Sequence, residues 1–155
     1  MSGLYIFDLD GTLALIDHRR HLVSEKSNGA DWSAFESLCT KDTPNLPVCT
    51  ILKDLRNAGG EILIFSGRSE EVRDLTVYWL VKHGIFKLSE LGDGVLTMRP
   101  RGDNTPDHIL KKSWLDNMLD VDRNRLVAIF DDRSSVVKMW RGEGITCCQV
   151  APGSF

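Results

Sequence analysis

Apolar and polar positions fall along this chain in blocks. β-prone runs at 5–7, 61–65, 95–98, 126–130 and 145–150 are short, nearly continuous and bounded by turn formers, the pattern of strands buried on both faces. Between them the spacing changes to that of helices. Val48, Ile51, Leu52 and Leu55 share one face before Ala58-Gly59-Gly60, and Val72, Leu75, Trp79 and Leu80 share another before Gly84. Pro106 suits the first turn of a third helix carrying Asp107, Lys111, Lys112 and Trp114, and a fourth helix over 134–141 stops at Gly142 or Gly144. Strand and helix in alternation, without an internal repeat, predict an α/β fold: a doubly wound parallel sheet with helices on both faces and right-handed crossovers.

Residues 14–47 break this rhythm. The segment is polar through Asp17-His18-Arg19-Arg20-His21 and Ser27-Asn28-Gly29, predicts a short helix over 31–38 with Asp31 as its N-cap, and closes on turn formers at 42–47. Placed directly after the first strand, such an insert forms a small cap over the sheet edge and gates access to it. The expected organisation is one domain, 1–155, with this cap inside it.

Three of the apolar runs end in polar signatures: Asp8-Leu9-Asp10-Gly11-Thr12, Ser66-Gly67-Arg68 and Asp131-Asp132-Arg133. In a parallel sheet all carboxyl ends lie on one edge, so these groups converge although the chain separates them widely. Asp8 and Asp10 share a strand face, and two carboxylates so close require a cation or a shared proton. Mg²⁺, with its preference for oxygen ligands and retained waters, satisfies the first option, with Asp8 as an ionised nucleophile and Asp10 as proton donor. A plain strand end followed by a turn is the competing reading. An EF-hand calcium loop is excluded by Gly11 standing fourth and by the β-like run in front.

Composition narrows the class without choosing the chemistry. With 155 residues, 42% hydrophobic and 26% charged, the chain has the balance of an ordinary globular domain. A formal charge of −3 argues against long non-specific tracking along nucleic acid, though local basic clusters still allow a strand end or a nucleotide to bind. No apolar stretch reaches membrane-spanning length and no basic leader precedes the first strand, so a cytoplasmic location is expected, in the host cell if the chain is phage-encoded. Cys39, Cys49, Cys147 and Cys148 lack metal-binding spacing and are expected to be buried thiols.

The ordered set Asp8-x-Asp10-Gly11-Thr12, Ser66 after a β run, Lys111 on a later helix and Asp131-Asp132 after another β run resembles the four motifs of the haloacid dehalogenase (HAD) superfamily. The resemblance spans the chain and implies a Rossmann-like core. It also implies a Mg²⁺-dependent phosphomonoesterase in which Asp8 forms an aspartyl-phosphate, Asp10 is general acid then base, and Ser66 and Lys111 bind the phosphoryl group. The metal set it implies is Asp8, Asp10, Asp131 and Asp132. Ser66-Gly67-Arg68, Gly102-Asp103 followed by Asp107 and Lys111, and 131–141 leading to Gln149-Val150-Ala151 further resemble the phosphatase domain of phage-type polynucleotide kinase/phosphatases. Those domains remove 3′-phosphates from DNA or RNA. Nucleic acid 3′ ends therefore rank first as substrate, nucleoside monophosphates second, and a non-catalytic phosphate-binding module last. No GxxxxGK[ST] loop is present, so kinase activity is not expected.

Around this set, Gly67, Arg68 and Arg133 at the sheet edge, Arg99 and Arg101 in the following loop, and Asp107 one helical turn before Lys111 are candidate substrate contacts, each balanced against a surface ion pair or a solvated loop. Trp32 and Phe35 either stack a base or pack the cap onto the core, with packing preferred. His18 and His21 read as solvated, and Trp79, Trp114 and Trp140 as core.

Overall fold

The computed structural model describes residues 2–24 and 29–155. Ser27 and Asn28 of the expected turn-forming stretch lie outside the described residues. Five parallel strands form the central sheet: β1 (Leu4–Phe7), β4 (Glu61–Ser69), β5 (Leu96–Arg99), β6 (Leu126–Asp131) and β7 (Cys147–Gln149), in the order β5-β4-β1-β6-β7. β1 is central, so the run that carries Asp8 and Asp10 at its end is flanked on both sides by strands that also end in functional signatures.

Alternation along the strands explains why both faces are buried. Phe7 and Ile64 point into one apolar cluster, with Leu52 of α3 (Leu46–Asn57) and Trp79 and Leu80 of α4 (Arg73–Lys82). Their neighbours Ile6 and Phe65 point into the other, with Leu115 of α5 (Asp107–Asp116) and Val136, Val137 and Trp140 of α7 (Ser134–Gly142). A two-residue side-chain period sends adjacent residues to opposite helix layers, which is the doubly wound α/β arrangement.

Residues 14–47 lie between β1 and α3. They contain β2 (Ala14–Leu15), α1 (Asp17–Arg20), α2 (Trp32–Ser37) and β3 (Thr43–Pro44), with β2 and β3 paired antiparallel in a second small sheet. Asp31 caps α2 as its sequence position predicts, accepting from the Ala34 N–H at 2.9 Å. α6 (Asp120–Asn124) has no apolar face to announce it. β4 runs beyond its apolar stretch to Ser69, through a register shift against β5 between Ser66 and Ser69. Three cysteines are buried, whereas Cys148 is exposed, a correction to the expected buried set: adjacent residues on edge strand β7 face opposite ways. Burial, followed by the nearby Asp131 charge, pushes the Cys147 thiol up to about 12.

Candidate active site

Asp8 follows β1, Lys111 is in the second turn of α5, and Asp131 ends β6 with Asp132 next. Adjacent parallel strands β1 and β6 bring the three acids together, and α5 brings Lys111 to them. Lys111 Nζ donates to Asp8 Oδ1 at 2.6 Å and to Asp131 Oδ2 at 2.9 Å, and Thr12 Oγ1 donates to Asp8 Oδ2 at 3.1 Å. Asp131 Oδ1 is held by the backbone N–H of Asp132 and of Arg133, and Trp140 Nε1 approaches Oδ2 at 3.4 Å.

Asp8, Asp131 and Asp132 each offer an oxygen, all within 4.8 Å of one another, and all three residues are buried. Burial, with Asp131 and Asp132 as like charges, holds the Asp8 carboxyl well above the usual range despite Lys111. Burial and Asp131 likewise push Asp132 up to about 6. Lys111 is shifted the other way: burial disfavours its charge, but Asp131 and Asp8 outweigh it and raise its pKa. One ammonium therefore serves three crowded carboxylates. This hard, all-oxygen donor set short of positive charge fits a small divalent cation.

Gly11 makes the cluster possible. Its φ is +84°, and a Cβ there would fall inside the Asp132 carboxylate. Gly11→Ala is accordingly expected to weaken divalent-ion affinity roughly 10–100-fold, read by isothermal titration with Mg²⁺ and Mn²⁺. Parental affinity would show that Asp132 is free to move aside.

Asp10 occupies a different environment. Its Oδ1 accepts from Arg19 Nη2 at 2.8 Å and from Arg68 Nε and Nη2 at 2.9 and 2.6 Å. No hydrogen bond from a described residue reaches Oδ2, and Asp10 lines the cavity above the cluster. Burial works against its charge, but Arg68 and Arg19 prevail and hold the carboxyl below the usual range. The Asp10 side chain thus faces two guanidinium groups, apart from the three clustered carboxylates that sequence reasoning had joined it to.

Behind Asp10 stands a buried ion network. Arg19 grips Asp42 bidentately, Nε to Oδ1 and Nη2 to Oδ2, both at 2.7 Å, while its Nη1 donates to the Phe35 carbonyl at 3.1 Å. Arg68 Nη2 also reaches Asp42 Oδ2 at 2.8 Å, and its Nη1 donates to Thr76 Oγ1. His18 is paired too: its Nε2 lies 2.8 Å from Asp42 Oδ1. Arg68 is therefore at the site but wholly committed to protein acceptors, and it positions Asp10. Sequence reasoning missed Arg19 and Asp42, which sit among polar residues whose one-dimensional pattern reads as solvated.

The remaining candidates divide. Asp107 joins Arg99 and Arg133: Arg99 Nη2 donates to its Oδ1, and Arg133 Nη1 to its Oδ2 at 2.8 Å. Arg99 also secures the Gly67 carbonyl from Nε at 2.9 Å, and a Cβ at Gly67 would meet the Asp107 carboxylate. Ser66 is buried beside the site, its Oγ accepting from the Arg68 N–H at 3.2 Å, and is not among the residues lining the cavity. Arg101 is exposed and also lies off the cavity wall.

The cavity has a volume of about 520 Å³, within the range of small-ligand sites. Its described lining contains seven acidic residues, Asp8, Asp10, Glu36, Asp103, Asp107, Asp131 and Asp132, against five basic ones, Arg20, Arg68, Arg99, Lys111 and Arg133. A phosphate dianion entering this field needs further positive charge at the floor, where the carboxylate cluster lies.

A parallel α/β core with an acid pair after its central strand, a lysine and a second acid pair converging on one edge defines a phosphatase of the HAD type. The family model for the polynucleotide kinase PNKP phosphatase domain matches residues 3–155, and the chain belongs to that family. It is 33% identical over 135 residues to a candidate bifunctional polynucleotide kinase/RNA ligase of the Autographa californica nuclear polyhedrosis virus, covering 86% of this chain and 17% of the viral protein. Two solved structures of the Pnkp1/Rnl/Hen1 complex, one described as an RNA repair complex, contain a chain 30% identical to this one. Their TM-scores are 0.76 and 0.78, covering 99% of this chain and 44% and 47% of theirs. A candidate phosphatase from Clostridium difficile shares the fold at 14% identity, with a TM-score of 0.58 over 96% of this chain and 84% of its own. This chain thus spans less than half the length of its relatives of higher identity. No helix among the described residues is long and apolar enough to cross a membrane.

Proposed function

We propose that this phosphatase removes the 3′-phosphate from nucleic acid ends through an aspartyl-phosphate on Asp8. The observation that carries the reading is the division of labour between the two acids: Asp8 sits in the carboxylate–lysine cluster, and Asp10 lines the cavity, held through Oδ1 while Oδ2 accepts no hydrogen bond from a described residue. In the first half-reaction an Asp8 oxygen bonds to phosphorus as the ester P–O bond breaks, and Asp10 protonates the leaving sugar oxygen. In the second, Asp10 takes a proton from water as the water oxygen attacks the phosphoryl group, releasing inorganic phosphate and restoring Asp8. Asp10 is ionised at rest, the state the second half requires, and a bound phosphate dianion beside it raises its proton affinity for the first.

Asp8, Asp131 and Asp132 would hold Mg²⁺, which offsets negative charge on the transferring phosphoryl group when bound. Lys111 bridges Asp8 and Asp131, and so keeps the nucleophile oriented. Family membership and the relatives named for polynucleotide kinase and RNA repair support a polynucleotide end as substrate. The acid-rich cavity lining favours a second reading, a nucleoside monophosphate phosphatase.

The two separate on substrate length and salt. Hydrolysis of a 3′-phosphorylated oligonucleotide, its 5′-phosphorylated counterpart and both mononucleotides is measured in Mg²⁺ and in EDTA, across rising salt. Preference for the 3′-phosphorylated oligomer, weakened by salt and abolished by chelation, is expected. Equal or better turnover of mononucleotides would move the assignment to the second reading.

A further inference from the structure

The basic residues around the cavity are not equivalent. Arg68 is held by Asp10 and Asp42, Arg99 and Arg133 by Asp107, and Lys111 by Asp8 and Asp131. Arg20, at the end of α1, differs. Its nearest acid among the described residues is Asp17 at 3.8 Å, itself 85% exposed, and the Arg20 Nε is buried without a hydrogen-bond partner. Its guanidinium rests on the Phe155 ring at 4.3 Å, a ring that Arg133 also contacts at 5.1 Å, so Arg20 is braced at the cavity wall. A braced guanidinium with no hydrogen bond among the described residues, and a side chain 37% exposed beyond its buried Nε, keeps its terminal amino groups for an incoming anion.

The same cavity is also lined by an uncovered aromatic surface. Trp32 and Phe35 meet edge to face at 5.7 Å and 83°, but their roles diverge: Phe35 is buried under the Arg19 guanidinium, whereas Trp32 is 56% exposed and lines the cavity. Phe35 thus does the packing, leaving the indole of Trp32 against its edge and open to a flat ligand.

We infer that Arg20 and Trp32 form an outer subsite for the nucleotide that bears the cleaved phosphate. Arg20 binds the phosphodiester on its 5′ side, and Trp32 stacks on its base. The inference rests on the polynucleotide reading and adds a length requirement: a nucleoside 3′-monophosphate lacks the phosphodiester and leaves Arg20 unpaired. Aromatic stacking tolerates any base, so selection acts on chain length, not on sequence.

The test compares the parent with Arg20→Gln, Arg20→Lys and Trp32→Ala on thymidine 3′-monophosphate, 3′-phosphorylated dithymidylate and p-nitrophenyl phosphate. The parent is expected to favour the dinucleotide over the mononucleotide at least about tenfold in kcat/KM. Arg20→Gln removes that preference, chiefly through KM, and Arg20→Lys restores part of it. The salt slope of log kcat/KM for the dinucleotide falls by about 0.7 in Arg20→Gln, the value for one lost single-strand phosphate contact. Trp32→Ala lowers kcat/KM for both nucleotides roughly tenfold relative to p-nitrophenyl phosphate. An Arg20→Gln protein that keeps the parental preference and salt slope overturns the inference, all the more if its melting temperature drops, since Arg20 then only anchors Phe155. A parallel fall on all three substrates overturns it as well. Failure of the parent on both nucleotides, with p-nitrophenyl phosphate still hydrolysed, would instead reject the polynucleotide reading itself.

Discussion

Asp8→Asn is expected to lower turnover by at least about 10⁴-fold, while the protein melts at a higher temperature than the parent in divalent-free buffer. The two effects share a cause. Asp8 is one of three buried carboxylates served by a single ammonium, and that crowding opposes folding. An amide removes one negative charge, still presents an oxygen to Lys111 Nζ, and can donate from its nitrogen to the Thr12 hydroxyl. It cannot form the acyl-phosphate. Mg²⁺ should reverse the order, because a ligand of the native state stabilises in proportion to its affinity, and the variant has lost one of its anionic ligands. Steady-state hydrolysis with Mg²⁺, and melting curves in EDTA and in Mg²⁺, check both halves. Residual turnover within about 100-fold of the parent would exclude Asp8 as the nucleophile. A lower melting point in EDTA would mean that the Asp8–Lys111 pair is net stabilising.

The sheet edge was legible because its chemistry follows apolar runs. β1, β4 and β6 each announce themselves by continuous β-prone residues, and each ends in the polar signature that the fold brings to the site. The strand order, with β1 between β4 and β6, is a property of packing that no local pattern carries. Residues 14–47 were legible only as an insert. Arg19 and Arg20 are adjacent on a helix of four residues, too short to show a periodicity, yet one is fully buried against Asp42 and the other lines the cavity. Asp42 reads as a turn residue, and its two guanidinium partners lie 23 and 26 positions away. His18, expected to be solvated, pairs with the same carboxylate. Buried ion pairs of this kind are invisible to hydropathy, which assigns every charged residue to solvent.

That network carries the second large expectation. Asp42→Ala should destabilise the protein by about 3–5 kcal/mol, a fall of roughly 6–20 °C in melting temperature. The substitution leaves Arg19 and Arg68 buried with one carboxylate between them, that of Asp10. Turnover should fall too, by about 10²-fold, because both guanidinium groups lose the anchor that fixes where they hold Asp10 Oδ1. Loss of stability and loss of positioning are separable with the double variant Arg19→Met with Asp42→Leu. It removes one cation and one anion together, fills the space with apolar atoms, and leaves Arg68 with Asp10 as a balanced pair. It should recover most of the melting temperature. Turnover should stay low, since Asp10 keeps only one of the two guanidinium contacts that fix its carboxylate. Recovery of both together would show that the network serves the fold alone, and that Asp10 needs no second guanidinium to work.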